Sequence, residues 1–112
     1  MSDEYSSETI IVNHLDKMDF LALLEHIERL PAILPERNIW CFEAFLNGWL
    51  IHNTDNGFMT EFQKYIFHQF GNVNSNQGWA KIINFYSQDS YDALDQFFKL
   101  LSDFRKDRST VV

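Results

Sequence analysis

The sequence predicts an all-α, single-domain bundle of about five helices with an aromatic-rich core, and three observations carry that prediction. Apolar residues recur at spacings of three and four through five separate segments, which is the helical period. Those segments draw on 11 Phe, within 46% hydrophobic and 16% aromatic residues, far more than a disordered chain carries. No β-hairpin signal competes with them. A chain of 112 residues is about one domain, long enough to bury roughly two thirds of its unfolded surface in one core.

Residues 1–12 are polar and Ser-rich, with "TIIV" their only apolar run, and read as a flexible N-terminal extension. The helical domain is expected over 13–108, with a short flexible tail at 109–112. In "DFLALLEHIERL" the stripe is Phe20, Leu23, Leu24, Ile27 and Leu30, with Asp19 placed to cap the start and Pro31 to stop the run. "PAILP" then reads as an extended connector, because the residue before each proline is pushed out of the helical region.

The second helix is expected to begin near Glu36 to Asn38, with Ile39, Phe42, Phe45, Leu46, Trp49 and Leu50 facing the core. Gly48 inside it costs up to roughly 1 kcal/mol relative to Ala, which predicts a close neighbour occupying the missing side chain's place. "HNTDNG" is a cluster of turn formers, expected to end this helix and connect tightly to the next. Phe58, Phe62, Tyr65 or Ile66, and Phe70 restart the period, with Thr60 or Asn56 as candidate caps and Gly71 as the stop. After the polar loop "GNVNSNQG", Trp79, Ile82, Ile83 and Tyr86 define a short fourth helix. Leu94, Phe97, Phe98, Leu101 and Phe104 define a fifth, with Ser87 or Asp89 to cap it and Arg105, Lys106 and Arg108 near its C-terminal end. Acid first and base last is the order the helix dipole favours.

The formal net charge of −7 is unevenly spread. Residues 1–28 hold seven acids against Lys17, a balance of −6, while residues 29–86 balance at zero and 87–112 at −1. Such a field repels phosphate backbones and anionic membranes and speeds encounter with a basic protein. Direct binding to nucleic acid or membrane is therefore not expected. One cysteine, Cys41, allows no intramolecular disulfide and no Cys-based zinc cluster. With neither a signal-peptide pattern nor an apolar run of membrane-spanning length, the expected location is cytoplasmic.

The search for chemistry returns no reaction. His14, His26, His52 and His68 stand in no recognised metal spacing. Cys41, between Trp40 and Phe42, reads as a packed small hydrophobe, because an apolar setting disfavours the thiolate. No G-x-S-x-G, P-loop or G-x-G-x-x-G occurs. The expectation is a protein that is not an enzyme and uses no cofactor or metal. Two groups of acids remain: Asp16, Asp19, Glu25 and Glu28 around the first helix, and Asp89, Asp92 and Asp95 at the start of the last. They read either as dipole complementarity and solvation, or as an anionic docking surface to which Trp40 supplies a desolvated anchor.

The order "CFEAFLNGWL", "GWAKIINFYS", "DALDQFFKLLSDF", from roughly Leu30 to Phe104, resembles small all-helical immunity proteins of bacterial polymorphic toxin systems, including those of contact-dependent growth inhibition. The shared patterns are packing motifs: F-L-x-G-aromatic, G-W-x-x-I-I and A-x-x-x-F-F-x-L-L-x-x-F. The resemblance implies neutralisation, inside the producing cell, of a cognate toxin domain, often a nuclease, by covering its active site. The charge argument points to a basic partner, and together with the resemblance it implies a one-to-one complex with a basic nuclease, ribonuclease favoured, whose phosphate-binding surface meets the acids named above. None of those contacts is supplied by the motifs. The competing expectation is a non-catalytic intracellular adaptor or regulatory domain in which the acids contribute solubility alone.

Overall fold

The computed structural model describes residues 19–71 and 78–110, so Asp16, His14, the 1–12 extension and most of the "GNVNSNQG" loop lie outside the described residues. The described chain is an all-α single domain with no strand: α1 (Phe20–Arg29), a 3-10 turn (Pro31–Ile33), α2 (Ile39–Trp49), α3 (Phe58–Gln69), α4 (Trp79–Phe85) and α5 (Ser90–Thr110).

Each start has a local cause. Asp19 caps α1 by accepting from the Ala22 N–H at 2.8 Å, and Asn38 caps α2 by accepting from the Cys41 N–H at 2.9 Å. Asp89 caps α5, its Oδ1 taking the N–H groups of Tyr91 and Asp92 at 3.0 and 2.8 Å. Asp92 reaches back to accept from the Gln88 N–H at 3.0 Å, the reciprocal bond of a capping box displaced by one residue.

The "HNTDNG" segment is the expected helix end and tight connector. Asn53 donates to the Trp49 carbonyl at 3.0 Å. Thr54 Oγ1 accepts from the Asn56 N–H at 3.0 Å, and Asn56 (φ 54°) and Gly57 (φ 80°) both turn left-handed. The cap of α3 is neither Thr60 nor Asn56: Asp55 accepts from the N–H groups of Gly57 (2.9 Å) and Met59 (3.0 Å). With the chain left-handed at two successive residues, the carboxylate just upstream is the one brought under the helix's first turn.

Three further expectations need correction. "PAILP" is not extended throughout, because Pro31–Ile33 forms a 3-10 turn closed by the Ile33 N–H on the Leu30 carbonyl at 3.1 Å. Proline fits there since the first position of a helical turn needs no N–H. Gly48 is exposed and, among the described residues beyond its chain neighbours and its own helix backbone, no atom lies within 4 Å of where its Cβ would stand, so close approach does not account for that glycine. Leu30 and Tyr86, at the ends of predicted apolar stripes, are 48% and 53% exposed, because each caps its helix's C-terminal end, where the chain leaves the packed face.

The core is aromatic and centred on α5. The Phe97 ring lies within 5.3 Å, centre to centre, of Phe42, Phe62, Trp79 and Phe98. One end is filled by Phe104 against Phe58, Phe62 and Tyr65, and Phe20 joins Phe58 to Trp49. Phe58 at Phe104 and Phe62 at Phe97 run α3 antiparallel to α5, Glu25 at Arg105 and Glu28 beside Phe98 do the same for α1, and α2 runs parallel to α5 with Phe42 at Phe97 and Trp49 towards Phe20 and Phe58. Burying a Phe side chain is worth about 1.5–3 kcal/mol, with roughly 0.5–1.5 more per well-placed ring pair, so this cluster dominates the packing energy.

Candidate functional site: the acidic seam between the first and last helices

Antiparallel packing of α1 on α5 lays Glu25 beside the end of α5 and Glu28 beside its middle, then carries the connector back across its first turns. The Glu25 carboxylate accepts from Arg105 Nη1 at 2.8 Å. Arg37, in the connector, pairs with Asp95 at 3.5 Å. Tyr91 Oη stands 3.4 Å from Glu36 Oε2, which also accepts from Asn38 Nδ2 at 2.9 Å.

Glu28, Asp92 and Asp95 line one open depression on this seam, together with Arg37, Lys99 and the edge of Phe98. Glu28 is exposed and has no hydrogen bond or ion pair among the described residues. Asp95 keeps a well-exposed side chain despite its arginine. The Asp92 carboxyl is held below the ordinary carboxylate value, first by the Gln88 N–H, then by the Gln96 amide and, more weakly, by the charge of Lys99. Arg37 Nη1 is buried with no hydrogen-bond acceptor among the described residues, and the guanidinium pairs with Asp95 in the depression.

The predicted acids are therefore not one uniform sheet of charge. Glu28, Asp92 and Asp95 come together, with Glu25 next to them along α1. Asp19 and Asp89 are each turned to a helix start as caps. Trp40 is 43% exposed at the start of α2 but does not line the depression; the aromatic edge there belongs to Phe98. Arg37 and Lys99, absent from the sequence-based set, share the site. The ion pairs join residues far apart in the sequence, and no local pattern announces them.

A second group of rings sits at the edge of the core, with Phe70 half-buried against it and Phe85 and Tyr86 exposed. Phe70, after α3, stacks face to face on Tyr86, after α4, at 4.6 Å and 7°. Phe85 meets Tyr86 edge-on at 5.0 Å and is 76% exposed. No group of three or more His, Cys, Asp or Glu among the described residues is arranged to hold a metal ion. No described helix is long and apolar enough to cross a membrane. No protein-family model, curated protein or solved structure matches the chain.

Proposed function

We propose that this chain is an immunity protein: a non-enzymatic, cytoplasmic inhibitor that binds a cognate bacterial toxin domain one-to-one and neutralises it. The toxin is a nuclease, ribonuclease favoured, and the inhibitor covers its basic active-site surface. The observation that carries the reading is the convergence of Glu28, Asp92 and Asp95 on one open depression of a chain with net charge −7. A nuclease gathers Lys, Arg and His to hold phosphates, and carboxylates in an open groove meet those groups without first breaking a buried contact. Glu25 reaches the partner by exchanging Arg105 for a toxin cation. The Glu25–Arg105 pair is exposed, and pairs of this kind are worth only about 0–1 kcal/mol, so that exchange costs little; Asp95, with a well-exposed side chain, can meet a toxin cation while it keeps Arg37.

The test is co-purification with the C-terminal domain of the protein encoded immediately upstream, followed by calorimetry at two salt concentrations. Stoichiometric, nanomolar binding that weakens with salt is the expected result. A Glu28→Lys/Asp95→Lys double variant that still melts normally is expected to lose at least about tenfold in affinity. Unchanged affinity in that variant would remove the acidic seam from the account.

One observation favours a second reading, a non-catalytic adaptor or regulatory domain with no toxin partner. The seam already neutralises part of its own charge through Arg37, Lys99 and Arg105. Absence of any binding upstream partner would select it.

A further inference from the structure

The rings of Phe70, Phe85 and Tyr86 occupy an unusual place in the charge pattern. From Tyr65 to Gln88 the sequence holds a single formal charge, Lys81, while the other 24 of its 25 charged residues lie outside that stretch. The ends of α3 and α4, which carry the three rings, thus form a nearly charge-free part of a strongly acidic protein. Phe85 and Tyr86 are largely solvent-exposed, and Phe85 has no ring partner but Tyr86 among the described residues. Phe70 is half-buried against the core, whereas the exposed faces of Phe85 and Tyr86 are not used by it.

A charge-depleted, aromatic centre is the composition of a protein–protein interface core. Which partner fits follows from charge. A basic protein finds no counter-charge on these rings and is drawn instead to the acidic seam. A second copy of this chain, at −7, is repelled wherever acids meet acids, and the described residues 65–71 and 78–88 hold none. Across a two-fold axis each copy presents the same patch to the other, so a neutral aromatic surface complements itself with no charge of opposite sign. We infer that the Phe70, Phe85 and Tyr86 surface is the contact through which two copies of this chain pair.

The salt response separates this contact from the acidic seam. Acid returns at Asp89, three residues beyond Tyr86, so the rims of the paired copies carry like charge. Added salt screens that repulsion and strengthens self-association, whereas it weakens binding of a basic toxin domain. The inference does not depend on the immunity reading, since it needs only the isolated chain.

Sedimentation velocity from micromolar to near-millimolar concentration, at low and moderate salt, provides the test, with Phe85→Glu and Phe85→Ser as variants. Both replace a side chain that is 76% exposed, and their melting curves are expected to match the parent. The parent is expected to shift towards twice its mass with rising concentration, more so at higher salt. Phe85→Glu should raise the dimer dissociation constant by about tenfold or more, and Phe85→Ser by less. A parent that stays monomeric throughout, or a dimer untouched by either variant, would overturn the inference. So would a monomeric parent whose upstream-encoded partner binds Phe85→Glu more weakly, since the patch would then belong to a different protein.

Discussion

Asp55 accepts two backbone N–H groups at the start of α3, and the residues on either side of the turn respond differently to the same change. Asp55→Ala is expected to cost about 1 kcal/mol through loss of the cap, read as a lowered urea midpoint. Gly57→Ala should destabilise as well, because φ of 80° strains any residue with a Cβ. Gly48→Ala should do the opposite, stabilising by about 0.5–1 kcal/mol, since the site is helical, exposed and open around the new methyl group. A destabilised Gly48→Ala would mean that the end of α2 needs a freedom its backbone does not display. Asp92 adds a pH dependence. Its folded-state pKa is lowered, so the stability it contributes is present above the unfolded carboxylate value of about 3.9 and is lost as pH falls through the folded value. Asp92→Asn is therefore expected to melt lower than the parent near pH 7, with the gap closing in acid. A gap independent of pH would assign the loss to packing.

The helices divide by what holds them. α1, α2 and α3 each bury a full apolar stripe, whereas α4 is seven residues long and cannot persist without its neighbours. Its place depends on Trp79 against Phe42 and Phe97, and on Ser87 Oγ donating to the Ile83 carbonyl at 2.6 Å. Phe97 is the ring common to α2, α3, α4 and α5. Phe97→Ala is expected to cost about 3–5 kcal/mol, a large share of the stability of a domain this size, and to broaden or abolish the thermal transition. Phe104→Leu, at the far end of the cluster, should be milder, because Arg108 stacked 5.2 Å from that ring shows the site opening to solvent. The stripes of α1, α2 and α3 were legible as periodicity. The exposure of Tyr86 was not, because a seven-residue repeat continues in sequence past the point where the chain turns away.

At the scale of the whole molecule two surfaces differ in what they ask of a partner. The α1–α5 seam offers carboxylates, and the ends of α3 and α4 offer rings with little charge. Opposite salt responses in one buffer series are the expected signature if both surfaces are used, read as mass for the chain alone and as affinity for the proposed toxin partner. The candidate site was only partly readable beforehand. Composition and spacing named Glu28, Asp92 and Asp95, but with equal weight they named Asp19 and Asp89, which serve as caps. Both uses need the same residue type at a helix start, so the pattern alone does not separate them.

By itself the sequence determined the class of fold, the positions of five helices, most of the core and the excess of negative charge. Each of these follows from residues within a few positions of one another or from a sum over the chain. The tertiary structure decided which acids share a face, which are neutralised by Arg37 and Arg105, and which rings are left outside the core. Those outcomes depend on α1 folding back antiparallel on α5, the first helix against the last. A helical period specifies which side of a helix is apolar, and it carries no information about which distant helix that side will meet.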